Sequence, residues 1–462
     1  MFKKIPDVFV IVFSLIVLAA VLTWVLPGGR YQRRNETVDG GERTVVVPGS
    51  YERAESEPQH LQIFTAPLRG FLKLSDIVVF ILLVGGAFNI LNETGAIAAG
   101  THRLVKRLRG REFWVIPITM VCFSFFGAAF GMCEEAMPFA LIFVPLALSL
   151  GYDSIVGVSL TFLAAGVGFA GAFLNPFTVQ IAQGIAGVQP ISGWEYRLIV
   201  WAISTALIVV WVMIYGARVK RDPTRSPMYE LDAKRREELR ARQEEHAEFS
   251  WRHGACLLAL VSTVAGMIVG VIAFDWYIVE LGGLFFAMGI AAGILGGMGA
   301  NRIAGSFITG VKDMAGAALI VGFAGGVLVI LEDGGVMDTI LHGAASLTSR
   351  MPPLLAADAM YVVQMALNFF IPSGSTKAAL TMPLMAPLAD LSGITRQTAV
   401  LAYQLGDGFT NMIIPTSGIT VGTLAMARIP FQKWARWNAP MQAVFFALSL
   451  ALLVWPVLSG WS

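Results

Sequence analysis

Residues 154 to 194 read SIVGVSLTFLAAGVGFAGAFLNPFTVQIAQGIAGVQPISGW, 41 positions without a charge. A helix that crosses a bilayer needs about 20 mostly apolar residues. This run is too long for one span, and it contains its own interruption, Leu174-Asn175-Pro176-Phe177-Thr178. Proline removes a backbone donor and clashes with the preceding turn, and asparagine offers the backbone competing hydrogen bonds. Lipid tolerates such backbone only where it faces protein or a water-filled cavity. The stretch therefore predicts a membrane helix unwound part-way across. Ile414-Pro415-Thr416-Ser417-Gly418 carries the same signature in the second half of the chain.

The rest of the composition agrees. Of 462 residues, 56% are hydrophobic, only 14% are charged and 48 are glycine, and the mean hydropathy is +0.68. A soluble chain carries roughly 25% charge. This excludes a secreted disulfide scaffold, a disordered chain and an ordinary cytosolic enzyme. A net charge of +2 gives no reason to expect nucleic acid as a partner. Cys122, Cys133 and Cys256 lack CxxC spacing, the five histidines form no HExxH set, and no P-loop is present. Neither a metal nor direct ATP use is expected.

Further uncharged runs follow Val8–Leu26: Ile77–Asn92, Phe113–Cys133, Ala136–Tyr152, Leu198–Ala217, Gly254–Phe274, Leu281–Asn301, Met314–Leu331, Ala359–Thr376, Gly408–Ala427 and Trp437 onward. Pro27-Gly28-Gly29 does not resemble a cleavage site, so the first run, behind Lys3 and Lys4, reads as an uncleaved helix. Basic loops mark the cytoplasmic side. Thr101–Glu112 holds five Lys/Arg against one acid, Arg218–His253 ten against eight acids, and Ala427–Arg436 three with none; Gly28–Gln59 is balanced and should lie outside. These counts predict a multi-pass protein of the bacterial inner membrane with a cytoplasmic N-terminus. The charged stretch Asp232–Glu248 reads as a charged helix or loop joining the two halves, a solvated linker.

The two halves repeat one another. Gly85-Gly86, Ile90-Leu91, Glu93 and Gly95 recur as Gly325-Gly326, Ile330-Leu331, Asp333 and Gly335; Pro145-Leu146-Ala147 and Gly151 recur as Pro387-Leu388-Ala389 and Gly393; Trp194 recurs as Trp434. The charge pattern threads the first copy outside-to-inside and the second in the opposite sense. Inverted repeats of this kind are typical of secondary transporters. The domains expected are a first helix with an extracytoplasmic loop (1–64), repeat one (65–217), a cytoplasmic linker (218–253), two linking helices (254–303) and repeat two (304–462).

Each repeat also holds a second interruption. Phe130-Gly131-Met132-Cys133-Glu134-Glu135-Ala136 and Pro372-Ser373-Gly374-Ser375-Thr376-Lys377-Ala378 combine glycine and charge between apolar stretches. If both flanks of the first lie on one side, it is a re-entrant hairpin with Glu134 and Glu135 at its tip. The second hairpin presents Ser373, Gly374, Ser375, Thr376 and Lys377. With Asn175, Pro176, Thr178, Thr416 and Ser417 of the broken helices, these are the candidate substrate contacts. Glu135, Asn175, Asp407 and Asn411 are candidates for a coupling sodium ion or proton, since intramembrane carboxylates are functional by default. Structural alternatives stand beside them. Lys377 can neutralise a tip glutamate, and Asp407 can bond backbone. The Asn, Ser and Thr side chains can satisfy broken helices, Glu93 and Asp333 can cap or sit at an interface, and the Gly-Gly pairs can be close helix contacts.

These motifs, with Ala182-Gln183-Gly184-Ile185-Ala186-Gly187-Val188, Ala378-Ala379-Leu380-Thr381-Met382-Pro383-Leu384 and Gly406-Asp407-Gly408-Phe409, resemble the C4-dicarboxylate anaerobic carrier family, most closely its YfcC-type branch, assigned to basic amino acid antiport. The resemblance spans nearly the whole chain. It implies an all-α ion-transporter-superfamily fold of two inverted repeats, each with a re-entrant hairpin and an interrupted helix. It also implies an elevator mechanism, a homodimer, and interfacial arm helices at Ile63–Lys73 and Ser306–Lys312. Lys377 departs from the family's pattern, where an uncharged residue such as glutamine is expected. The function expected is antiport or cation symport of small charged organic solutes, basic amino acids first and C4-dicarboxylates or other carboxylates second, with no cofactor beyond a sodium ion or proton and with lipid as the surrounding partner.

Overall fold

The computed structural model describes residues 7–38, 41–107, 110–245, 249–274, 276–348 and 351–462. Lys3, Lys4, Arg109 and Glu248, used in the charge reading, lie outside the described residues. Among those described, seven helices are long and apolar enough to cross a bilayer: Val8–Val25, Ser75–Glu93, Glu112–Phe130, Trp194–Arg221, Trp251–Val271, Ile278–Leu295 and Phe431–Ser459. The helix Ala300–Asp333 is bent by 41° between Gly316 and Ala318, and its two limbs together make an eighth candidate. The protein is a multi-pass, mostly helical membrane protein with a small β-structured cap.

The remaining apolar runs are shorter helices arranged in pairs, in the same order in both halves. In the first half Val115–Phe130 turns at Gly131–Cys133 into Glu134–Ser149, and Ser154–Ala170 breaks at Gly171–Asn175 before Pro176–Ile185. In the second, Pro353–Asn368 turns into Gly374–Leu391, and Arg396–Asn411 breaks at Met412–Ser417 before Gly418–Met426. Each half closes on a long helix, Trp194–Arg221 or Phe431–Ser459. The hairpin helices and broken helices pack on one another, and all positions from Gln397 to Asn411 are buried. Where the two broken helices cross, a Cβ on Gly408 would stand 2.3 Å from Ala170 Cα.

The arms and the glycine pairs belong together. Gln62–Lys73 lies against Ala318–Asp333, where a Cβ on Gly70 would stand 2.3 Å from the Gly322 oxygen and the Gly326 nitrogen. Gly310 of the second arm approaches Gly85 in the same way, again at 2.3 Å to a carbonyl oxygen. Each arm thus crosses onto the other half's Gly-Gly helix. The acids at the ends of those helices complete the seams: Asp333 and Glu332 pair with Arg69 and Lys73, and Glu93 with Arg302 at 3.5 Å.

Two polar segments differ from expectation. The balanced loop forms two antiparallel pairs, Gly28–Arg30 with Glu52–Ala54 and Arg33–Val38 with Gly41–Val46. It docks on Met337–Thr348 through Asp338, which accepts from the Tyr31 amide and from Arg33. Burial, then Asp338, push the Tyr31 phenol up to about 12. The charged linker is a helix, Tyr229–Glu245, one of the two forms expected, but it is anchored rather than solvated throughout, since Asp232 is fully buried. Its carboxylate accepts from the Ser154 amide at 2.8 Å and hydroxyl at 3.0 Å. Composition predicted a water-facing segment there because Glu230, Lys234, Glu237, Glu238 and Arg240 are exposed and outnumber the anchor.

Candidate functional site

The four interruptions meet. Residues of both hairpin tips and both helix breaks line one cavity of about 490 Å³, within the range of ~300–1,000 Å³ usual for small-molecule sites. The local chemistry that opens each helix is what builds the wall.

At the first hairpin tip Gly131 ends its helix at φ +71°, and a Cβ there would stand 2.5 Å from Asn175 Oδ1. Glycine therefore allows the tip to seat on the first break. Glu134 follows and enters the cavity, whose wall it shares with Tyr277. Glu135 does not enter it. It is 3% exposed, accepts from the Cys133 amide at 3.0 Å, and faces a small apolar crevice between Phe126, Phe130, Met132 and Met267, Ile268, Val271.

At the first break Asn175 is fully buried, and its Oδ1 caps the following helix by accepting from the Phe177 amide at 2.9 Å. Pro176 occupies the first helical position, where its missing N–H costs nothing. Neither lines the cavity, whereas Phe177 and Thr178 do. At the second break the freed Met412 carbonyl accepts from Trp434 Nε1 at 2.8 Å and Asn438 Nδ2 at 3.0 Å. Asn411, Thr416 and Ser417 reach the cavity, and Ser417 caps Gly418–Met426. The second hairpin contributes Ser373, Gly374 and Ser375. Tyr403 fixes this tip by donating to the Gly374 carbonyl at 2.6 Å. Thr376 bonds Ser373 at 3.1 Å but opens on a separate cavity beneath the β cap, shared with Asp338.

Lys377 is turned inward. It is fully buried, with Nζ 2.7 Å from Asp407 Oδ1 and 3.0 Å from Asn368 Oδ1. Neither Lys377 nor Asp407 lines the cavity, so the lysine does not face Glu134 across it. Glu134, Asp76 and Lys73 are the charged residues in its wall, and Lys73 pairs with Glu332. The sequence reading missed Asp76, Tyr277 and Asn368. Asp76 and Tyr277 follow no motif. Gln364 and Asn368, one turn apart in an apolar helix, were a usable signal for a polar seam.

Two features define what the cavity can hold. Thr178 and Thr416 line it, and their buried hydroxyls have no hydrogen-bond partner among the described residues; such groups cost free energy until a partner is supplied. The first turns of Glu134–Ser149, Pro176–Ile185, Gly374–Leu391 and Gly418–Met426 all contribute residues to it. Each helix N-terminus carries about half a positive charge and favours an anionic group. Donors for an anion and a carboxylate for a cation therefore share one small space.

The DcuC family, described as C4-dicarboxylate anaerobic carrier, matches residues 5–458. The chain belongs to this family. It is a small-solute carrier by that membership. The relative named "Putative basic amino acid antiporter YfcC" from Escherichia coli (strain K12) is 39% identical, with 99% of this chain and 97% of that protein covered. An uncharacterized protein of Haemophilus influenzae is 32% identical over 97% of this chain and 96% of its own length. Among solved structures, the YdaH transporter of Alcanivorax borkumensis aligns at TM-score 0.43 and 17% identity over 98% of this chain and all of its own. That likeness is too loose to carry an argument about this carrier.

Proposed function

We propose that this carrier is a secondary active antiporter of small charged organic solutes, with basic amino acids such as arginine and ornithine as its preferred substrates. The observation that carries the reading is the mixed cavity wall: the carboxylates of Glu134 and Asp76 share it with unpartnered hydroxyls and helix N-termini. The substrate carboxylate lies on Thr178, Thr416 and the Ser373–Ser375 turn, and its ammonium or guanidinium on Glu134, with Asp76 at the rim for the second cationic group. A C4-dicarboxylate or other carboxylate, coupled to sodium or protons, is the second reading, and the helix ends and the family's description favour it. Against it, the cation expected to hold a second carboxylate, Lys377, is committed to Asp407.

The transport cycle follows the elevator scheme. The two hairpins and two broken helices move as one unit past the crossed arms and their glycine seams, within a homodimer in the bacterial inner membrane. Counterflow into proteoliposomes tests the substrate. Internal unlabelled arginine should accelerate entry of labelled arginine, with internal succinate ineffective. Arginine entry equal to that in empty vesicles rejects the reading, and succinate counterflow replaces it with the second.

A further inference from the structure

We propose that the Lys377 ammonium occupies a cation seat built into the protein, so that this carrier binds no sodium ion there and exchanges its solutes without one. The seat is made of oxygen. Nζ lies 2.7 Å from Asp407 Oδ1, 3.0 Å from Asn368 Oδ1 and 3.4 Å from the Gln364 carbonyl. These donors are a carboxylate, an amide and a backbone carbonyl, the set that hard cations select. All three residues and the lysine are essentially inaccessible to solvent.

The seat is also held in shape. Asn368 Nδ2 donates to the Asp407 carbonyl at 3.0 Å, to Thr410 Oγ1 at 2.7 Å and to Asn411 Oδ1 at 3.1 Å, which fixes its oxygen toward the ammonium. Gln364 Oε1, one turn earlier on that helix, is buried and has no partner among the described residues. The arrangement presents one formal negative charge and several dipoles to a space that demands a single positive charge.

Its position links it to the solute cavity. Asp407 Oδ2 lies 3.1 Å from where a Cβ on Gly374 would stand and 3.5 Å from Asn411 Nδ2, and Gly374 and Asn411 both line the cavity. A free ion here would enter and leave with each cycle and couple the solute to the sodium gradient. A tethered ammonium sits among the same oxygens, paired with the Asp407 carboxylate, and cannot leave. The consequence for coupling rests on the transporter reading; the seat itself does not.

The test uses purified full-length protein in detergent with no solute. Wild-type melting should be the same in sodium chloride as in choline chloride at equal ionic strength. Lys377→Ala, and Lys377→Gln as the milder change, should gain a melting temperature that rises with sodium and saturates, since an ion that binds only the folded state stabilises it by mass action. Adding Asp407→Asn should abolish that gain. A variant that is recovered folded only in sodium supports the seat. Sodium stabilisation of the wild type, or no sodium response in either lysine variant, overturns it. Neither result bears on arginine counterflow, so the two proposals fail separately.

Discussion

Replacing Glu134 by glutamine separates the two tip carboxylates, which are adjacent in sequence but face different surroundings. Glu134 lines the central cavity, as does Tyr277, whereas Glu135 is bonded to the Cys133 amide in an apolar crevice. Glutamine keeps the shape and one acceptor but removes the charge that an ammonium or guanidinium would meet. A hydrogen bond to a charged group contributes about 1.5–3 kcal/mol. At about 1.4 kcal/mol per tenfold in affinity, Glu134→Gln should weaken arginine binding by about 10- to 150-fold. In Glu135→Gln the new amide oxygen still accepts from Cys133, and arginine affinity should be unchanged. The assay is the half-saturating concentration in arginine counterflow, paired with arginine-dependent melting of each purified variant. A folded Glu134→Gln protein with wild-type affinity would refute the reasoning, as would an equal loss in both variants.

Lys377→Met leaves Asp407 buried beside an uncharged side chain, at a cost of about 3–5 kcal/mol, and Lys377→Met/Asp407→Leu should recover most of this because breaking a buried pair is worse than replacing it; denaturant titration in micelles reads both, and equal losses contradict the pairing. Gly168→Ala places a Cβ 1.9 Å from the Ser124 carbonyl oxygen and should cost about 1–3 kcal/mol by forcing the helices apart; unchanged melting would show that the contact is not close. Asp232→Ala leaves the buried Ser154 amide without its acceptor, at about 1–3 kcal/mol, and should expose Tyr229–Glu245 to limited proteolysis; a wild-type cleavage rate would exclude an anchoring role.

Much of the architecture was legible because membrane helices have few ways to stop. Asn175-Pro176 and Pro415 sit in uncharged runs with no other reason for a breaker, and the chain unwinds at both places. The Gly-Gly pairs read as close contacts, and each lies under an arm. The linker was misjudged for an equally physical reason: composition weighs every charge alike, whereas the single buried carboxylate of Asp232 decides where its helix docks.

The site was legible as a set of interruptions but not as a set of contacts. The sequence by itself determined that four broken points carry the polar groups of the membrane interior, because unpaired backbone in lipid must turn toward protein or water. Only the tertiary structure decided which side chains face the cavity. Glu134 and Glu135 open a tight helical turn of about three residues, so neighbours diverge by about a third of a revolution and one step along the chain exchanges cavity for core. Lys377 and Asp407 lie on different helices and meet only when those helices pack, and that packing removes the lysine from the cavity and leaves Glu134 and Asp76 as the carboxylates in its wall.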